Sequence, residues 1–164
     1  EAIGMSEDIP RADENGSWDW WTWDKMEELL TKMRTKITET YGEVQGTYYY
    51  PLDANFQWSA VYDAVIKSFG VYTVDVDTMK SGFDSSNSQA YANTLKAVEF
   101  MKRLVSEELV TLDNENAFLS NDKRGMFFTT RPNVTVCVNT GKELAFAPLP
   151  KFKKSQTGLD TGET

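Results

Sequence analysis

The 164-residue sequence has no histidine and a single cysteine. Without imidazole, this chain has no histidine general base, no His-activated Ser or Cys nucleophile, and none of the common zinc sites. One cysteine forms no internal disulfide. Cys137 stands in the run Val134-Thr135-Val136-Cys137-Val138, which reads as a buried, inert thiol. Positive charge is also scarce: 17 Lys and Arg against 25 Asp and Glu give a formal net charge of -8. That balance argues against nucleic acid as a partner, because phosphate binding needs a basic face. No apolar run approaches the roughly 20 residues of a membrane span. No charged-then-apolar leader is visible, and the first residue is Glu1 rather than Met, so a processed or excised segment is expected. Membrane attachment is therefore expected only through an anchor outside this chain.

The common chemical motifs are missing too. No GxGxxG, P-loop or GxSxG sequence occurs. Asp13, Asn15 and Gly16 suggest a calcium loop, but Arg11 and Thr22 fall where the first ligand and the bidentate carboxylate belong. The acidic residues show no catalytic pairing. The expectation is a protein that is not an enzyme, with no metal and no cofactor.

What is present is ordinary globular material: 40% hydrophobic and 26% charged residues, enough for one domain with a real core. Residues 1–17 read as a polar lead-in loop. A helix then opens at the N-cap Thr22, with Trp23, Met26, Leu29, Leu30, Met33, Ile37 and Tyr41 on one face and Gly42 as its stop. Residues 47–50 read as a strand closed by Pro51. A second helix runs from about Phe56 to Ser68, with Val61, Tyr62, Val65, Ile66 and Phe69 on its face. Residues 71–75 suggest a short hairpin with Phe83.

A third helix from Asn87 places Tyr91, Leu95, Val98, Met101, Leu104 and Val105 on one side. A short helix near 116–119 leads to strands at 125–129 and 144–147, and a polar tail follows from Lys151. Alternating helices and strands give an α/β fold. The cluster Trp18, Trp20, Trp21 and Trp23 is open to two readings, a ligand platform or a pin holding the lead-in onto the helix start. Packing is favoured, since buried aromatics dominate core energetics.

Four segments in order carry a resemblance. They are Thr22-Trp23-Asp24-Lys25-Met26-Glu27-Glu28-Leu29, and Asp53-Ala54-Asn55-Phe56-Gln57-Trp58 with its helix to Phe69-Gly70. Then come the helix from Asn87 to Val110, and Asn116-Ala117-Phe118-Leu119-Ser120-Asn121-Asp122-Lys123-Arg124-Gly125-Met126, followed by Ala147-Pro148-Leu149-Pro150. Their order and spacing resemble the family-1 extracellular solute-binding proteins of ABC importers, over roughly residues 18–152.

The resemblance implies one lobe of a class II periplasmic-binding-protein-like fold, a small sheet flanked by helices. The chain would be a fragment of the second, C-terminal lobe, with its tail directed toward the hinge. It also implies an extracellular, cell-surface or periplasmic protein that holds a sugar or oligosaccharide between two lobes and delivers it to the permease subunits.

Carried over onto this sequence, the ligand contacts would be Asp53, Asn55, Phe56 and Trp58, then Arg131 and Asn133. Asp53 and Asn55 suit hydroxyl groups, and Arg131 would donate to a hydroxyl or an anion. Each has a plainer alternative: a helix cap for Asp53 or Asn55, core packing for Phe56 and Trp58, an ordinary surface position for Arg131. The sequence departs from the family at Asn121, where Gly is usual, and at Gly125, where Ala is usual. The turn at 129–133 also lacks an aromatic, so a non-sugar solute is an alternative, as is a freestanding interaction domain.

Overall fold

A computed structural model describes residues 3–74, 79–112, 123–128, 139 and 144–152. The expected helix at 116–119, together with Arg131, Asn133 and the run 134–138, lies outside these residues. The fold is α/β. Helix α1 (Trp23–Gly46) leads to strand β1 (Tyr50–Asp53), helices α2 (Ser59–Ser68) and α3 (Ser88–Ser106), and strands β2 (Val110–Thr111) and β3 (Arg124–Phe127). The sheet order is β2-β1-β3, with β1 central and parallel to both neighbours.

Helix α1 starts where its chemistry dictates. The Thr22 side chain accepts from the Lys25 amide at 3.4 Å, and Asp24 lies in the first turn, where the helix dipole favours it. Trp23, Met26, Leu30, Met33 and Ile37 are buried at alternating three- and four-residue steps. Gly42 breaks the regular helix at φ 76°, ψ 168°, a backbone open mainly to glycine, and the chain then makes one more turn to Gly46.

That extra turn displaces the first strand. The amides of Tyr48 and Tyr49 bond to the carbonyls of Gln45 and Gly46, so the strand runs over Tyr50–Asp53 instead of 47–50. Pro51 lies inside the strand rather than closing it. Its missing N–H is tolerated because the flanking amides bond: Tyr50 to Lys123 O at 3.0 Å and Leu52 to Leu109 O at 3.1 Å.

The third helix forms as expected and buries Met101 and Leu104 as expected, but the rest of its inner face is shifted. Thr94, Ala97, Phe100, Met101 and Leu104 are inside. Leu95 is 44% exposed, Val98 40% and Val105 39%, so those expected core positions are corrected. The expected and observed stripes both have helical spacing and differ by a rotation of one residue. Phe100 decides between them, packing 5.2 Å from Trp23 and 5.8 Å from Phe69.

Beyond α3, Glu108 turns the chain at φ 54°, and Val110–Thr111 enters the sheet as a strand the sequence pattern does not announce. The expected strand at 144–147 is absent: residues 144–150 are irregular, and Phe146 is 62% exposed. Pairing comes later, where Lys151 bridges to Thr22 and exchanges backbone bonds with Trp21 and Trp23, each at 3.0 Å. Of the hairpin expected for 71–75, the described residues show the bond from Gly82 N to Tyr72 O at 3.1 Å; Asp75 lies outside them.

One hydrophobic cluster unites the elements, with Trp21, Trp23, Met26, Leu30, Leu52, Ile66 and Leu104 almost fully buried. Arg103 forks onto the Glu27 carboxylate (2.5 and 2.8 Å) and ties α3 to α1. Gly82 is packed without room for a side chain: a Cβ there would lie 2.3 Å from Val71 Cγ1 and 2.6 Å from the backbone oxygen of Tyr72. Gly82→Ala is therefore expected to cost about 1–3 kcal/mol of stability, read from urea unfolding. A cost near zero would mean the 71–82 stretch shifts freely.

Candidate functional site

In open α/β sheets, ligands gather beyond the carboxyl ends of the strands. Here that edge is formed by Asp53, Thr111 and Phe127, and by the connection 54–58 that carries the chain from β1 into α2. Four of the six residues expected at the site fall on this stretch: Asp53, Asn55, Phe56 and Trp58. Arg131 and Asn133 are not described.

The connection is held by a short series of bonds. The Ala54 amide reaches Thr111 O at 3.2 Å, that of Phe56 reaches Ala54 O at 2.9 Å, and that of Trp58 reaches Asn55 O at 3.0 Å. The Asn55 Oδ1 accepts from the Gln57 amide at 2.9 Å, an Asx turn. Neither Asp53 nor Asn55 caps α2. The N-cap is Trp58, whose side chain makes no capping bond, and the helix begins three residues later than the sequence pattern suggests because the turn occupies that length.

The four side chains differ in availability. Asp53 is largely buried, with a carboxylate oxygen 3.9 Å from Arg124 Nε, and its own carbonyl accepts from Phe128 N at 3.1 Å. It clamps β1 to β3 as well as standing at the edge. Phe56 is partly buried against the core. Asn55 spends Oδ1 on its turn, leaving Nδ2 as a donor without a partner among the described residues. Trp58 is 44% exposed. The connection thus offers an exposed indole and an amide donor, while the Asp53 carboxylate lies against Arg124.

Tyr62 is a further candidate that the sequence reading placed only in the core. It lies one helical turn beyond Trp58, its amide bonding to Trp58 O at 3.0 Å. Burial, and then the charge of Asp63, pushes its phenol above the usual 10.0. It stays protonated at neutral pH, able to donate and accept. Its i+4 spacing from Trp58 was the available signal.

The tryptophan cluster packs, as favoured above. Trp21 and Trp23 are each 2% exposed, and their indole N–H groups donate to Pro148 O (3.0 Å) and Ser68 Oγ (2.7 Å). Trp20 lies at the surface and donates to Arg11 O at 3.1 Å, pinning the lead-in.

Among the described residues, no group of three or more Cys, Asp or Glu side chains is placed to hold a metal ion. Nor is any described helix long and apolar enough to cross a membrane. No family model matches the chain, and no curated protein or solved structure matches it significantly.

Proposed function

We propose that this chain is a lobe of a solute-binding protein that captures a carbohydrate-type solute outside the cell and hands it to an importer's permease, without chemistry of its own. Within this reading the fold is the second lobe of a class II periplasmic-binding-protein-like architecture. The observation that carries it is the exposed Trp58, its backbone amide bonded to Asn55 O, on the connection that leaves the carboxyl end of the central strand of a parallel sheet. An indole face suits the C–H face of a sugar ring, and an amide donor suits its hydroxyls. Asp53, held against Arg124 at the end of the same strand, would serve the ligand only as a shared acceptor. The motif order resembling family-1 solute-binding proteins supports the same reading. Localisation outside the cell and docking on permease subunits follow from it.

The test is calorimetry of the chain against neutral mono- and oligosaccharides. Asn55→Ala is expected to weaken binding roughly 2- to 10-fold, the worth of one hydrogen bond. Trp58→Ala should weaken it at least as much without lowering the melting temperature appreciably, while Asn55→Ala, which also loses its Asx-turn bond, should lower it by a few degrees at most. Sugar affinity indifferent to both substitutions would overturn the assignment. Binding only of peptides or anionic solutes would keep the site and change the ligand class.

A further inference from the structure

The end of α2, the turn around Gly82 and the first turns of α3 surround a half-open pocket of about 260 Å³. Its walls come from three separate stretches of chain: Gly70 and Tyr72, then Gly82, then Asn87, Gln89 and Asn93. None of the candidate residues on the β1–α2 connection lines it, and among the described residues no charged side chain does.

The polar groups facing the pocket are mainly carboxamides. Gln89 Nε2 donates to Asn93 Oδ1 at 3.1 Å, which orients Asn93 and leaves its Nδ2 as a donor. That Nδ2 lies 3.8 Å from where a Cβ on Gly70 would stand. Gly70, at φ +76°, therefore both permits the turn out of α2 and keeps the space beside the amide open. Asn87 makes no side-chain capping bond to α3, so its amide is not committed to the helix backbone. The rear wall is fixed, because the buried Thr94 hydroxyl donates to Gly82 O at 2.8 Å.

Three uncharged amides offer donors and acceptors together, the pattern that vicinal hydroxyl groups complement. An ion would lose hydration here with no opposite charge among the described lining residues to replace it. The volume falls just below the roughly 300–1,000 Å³ of pockets for drug-sized ligands, the scale of one small ring. We propose that this pocket binds a single neutral polyhydroxylated ring through Asn87, Gln89 and Asn93, at a site distinct from the β1–α2 connection.

The experiment is an amide-resolved NMR titration of the chain with D-glucose, myo-inositol and D-gluconate. The two neutral probes are expected to shift the side-chain amide signals of Asn87 and Asn93, while gluconate leaves them in place. Asn93→Ala should weaken this binding roughly 2- to 10-fold, and Asn87→Ala likewise. Circular dichroism checks that each variant is folded; Gln89→Ala, on the exposed side of the helix, replaces any that is not. Trp58→Ala should leave the shifts at Asn87 and Asn93 unchanged, so this site and the one proposed above fail independently. The proposal is overturned if neither neutral probe moves these signals, if gluconate moves them equally, or if the shifts vanish with Trp58→Ala.

Discussion

Replacing Trp23 by alanine is expected to lower unfolding stability by about 3–5 kcal/mol, the range for deleting a large buried aromatic. Trp23 is 2% exposed and lies at the meeting point of four elements. Its ring packs 5.2 Å from Phe100 of α3, 6.1 Å from Phe69 at the end of α2 and 6.2 Å from Phe128 after β3. Its indole N–H donates to the Ser68 hydroxyl at 2.7 Å, and that hydroxyl in turn donates to Val65 O at 2.6 Å. Alanine would remove the ring contacts and this bond together, and three aromatic neighbours could not close the gap without moving helices. Trp23→Phe retains most of the packing and is expected to cost about 1–3 kcal/mol, largely the lost buried hydrogen bond. Trp20→Ala, at the surface, should cost far less. Urea unfolding followed by far-UV circular dichroism separates the three, since fluorescence changes with the substitutions themselves. A Trp23→Ala loss below about 1 kcal/mol would mean that the aromatic cluster is not the keystone of this core. Because Phe128 also donates its amide to Asp53 O at 3.1 Å, loosening Trp23 should disturb the candidate site as well.

The second large effect concerns affinity. On the reading proposed above, the chain supplies one wall of an interlobe cleft and should bind its solute far more weakly than a two-lobed protein containing it. A closing lobe excludes water and adds hydrogen bonds worth about 0.5–1.5 kcal/mol each. Three or four such bonds amount to about 2–6 kcal/mol, or roughly 30- to 10,000-fold in dissociation constant. Calorimetry on both forms with the same sugar measures the ratio directly. Equal affinities would show that this chain holds a complete site, and the one-wall reading would fall.

Much of the local structure was legible because its causes are local. Thr22 beside acidic residues announces a helix start, and the three- and four-residue spacing from Trp23 to Ile37 announces its buried face. Gly42 breaks the helix through its own backbone freedom. Other signals were real but misplaced. The aromatic run 47–50 looked like a strand, yet the chain spends Tyr48 and Tyr49 on a turn closed by Gln45 and Gly46. The run 144–147 reads as a strand, but the ladder contact forms at Lys151.

The candidate site was half legible. Asn55 and Trp58 could be singled out because the family-like segment beyond β1 places them at a strand end. That Asp53 leans on Arg124 depends on where β3 packs against β1, and no local pattern encodes it, whereas Tyr62 one turn beyond Trp58 is written in the i+4 spacing.

The sequence alone excluded histidine chemistry and internal disulfides, and it set helix periodicity, the α1 cap and the α/β alternation. These depend on residue identity and on neighbours within a turn or two. The tertiary structure decided which of two equally spaced stripes on α3 faces inward, which tryptophans are buried, and that a two-residue segment at Val110 becomes a strand. Those outcomes are fixed by partners dozens of residues away: Phe100 meeting Trp23, Trp21 reaching Pro148, and Leu52 finding the carbonyl of Leu109. Burial and strand pairing are properties of the assembled core, so a short stretch of sequence does not encode them by itself.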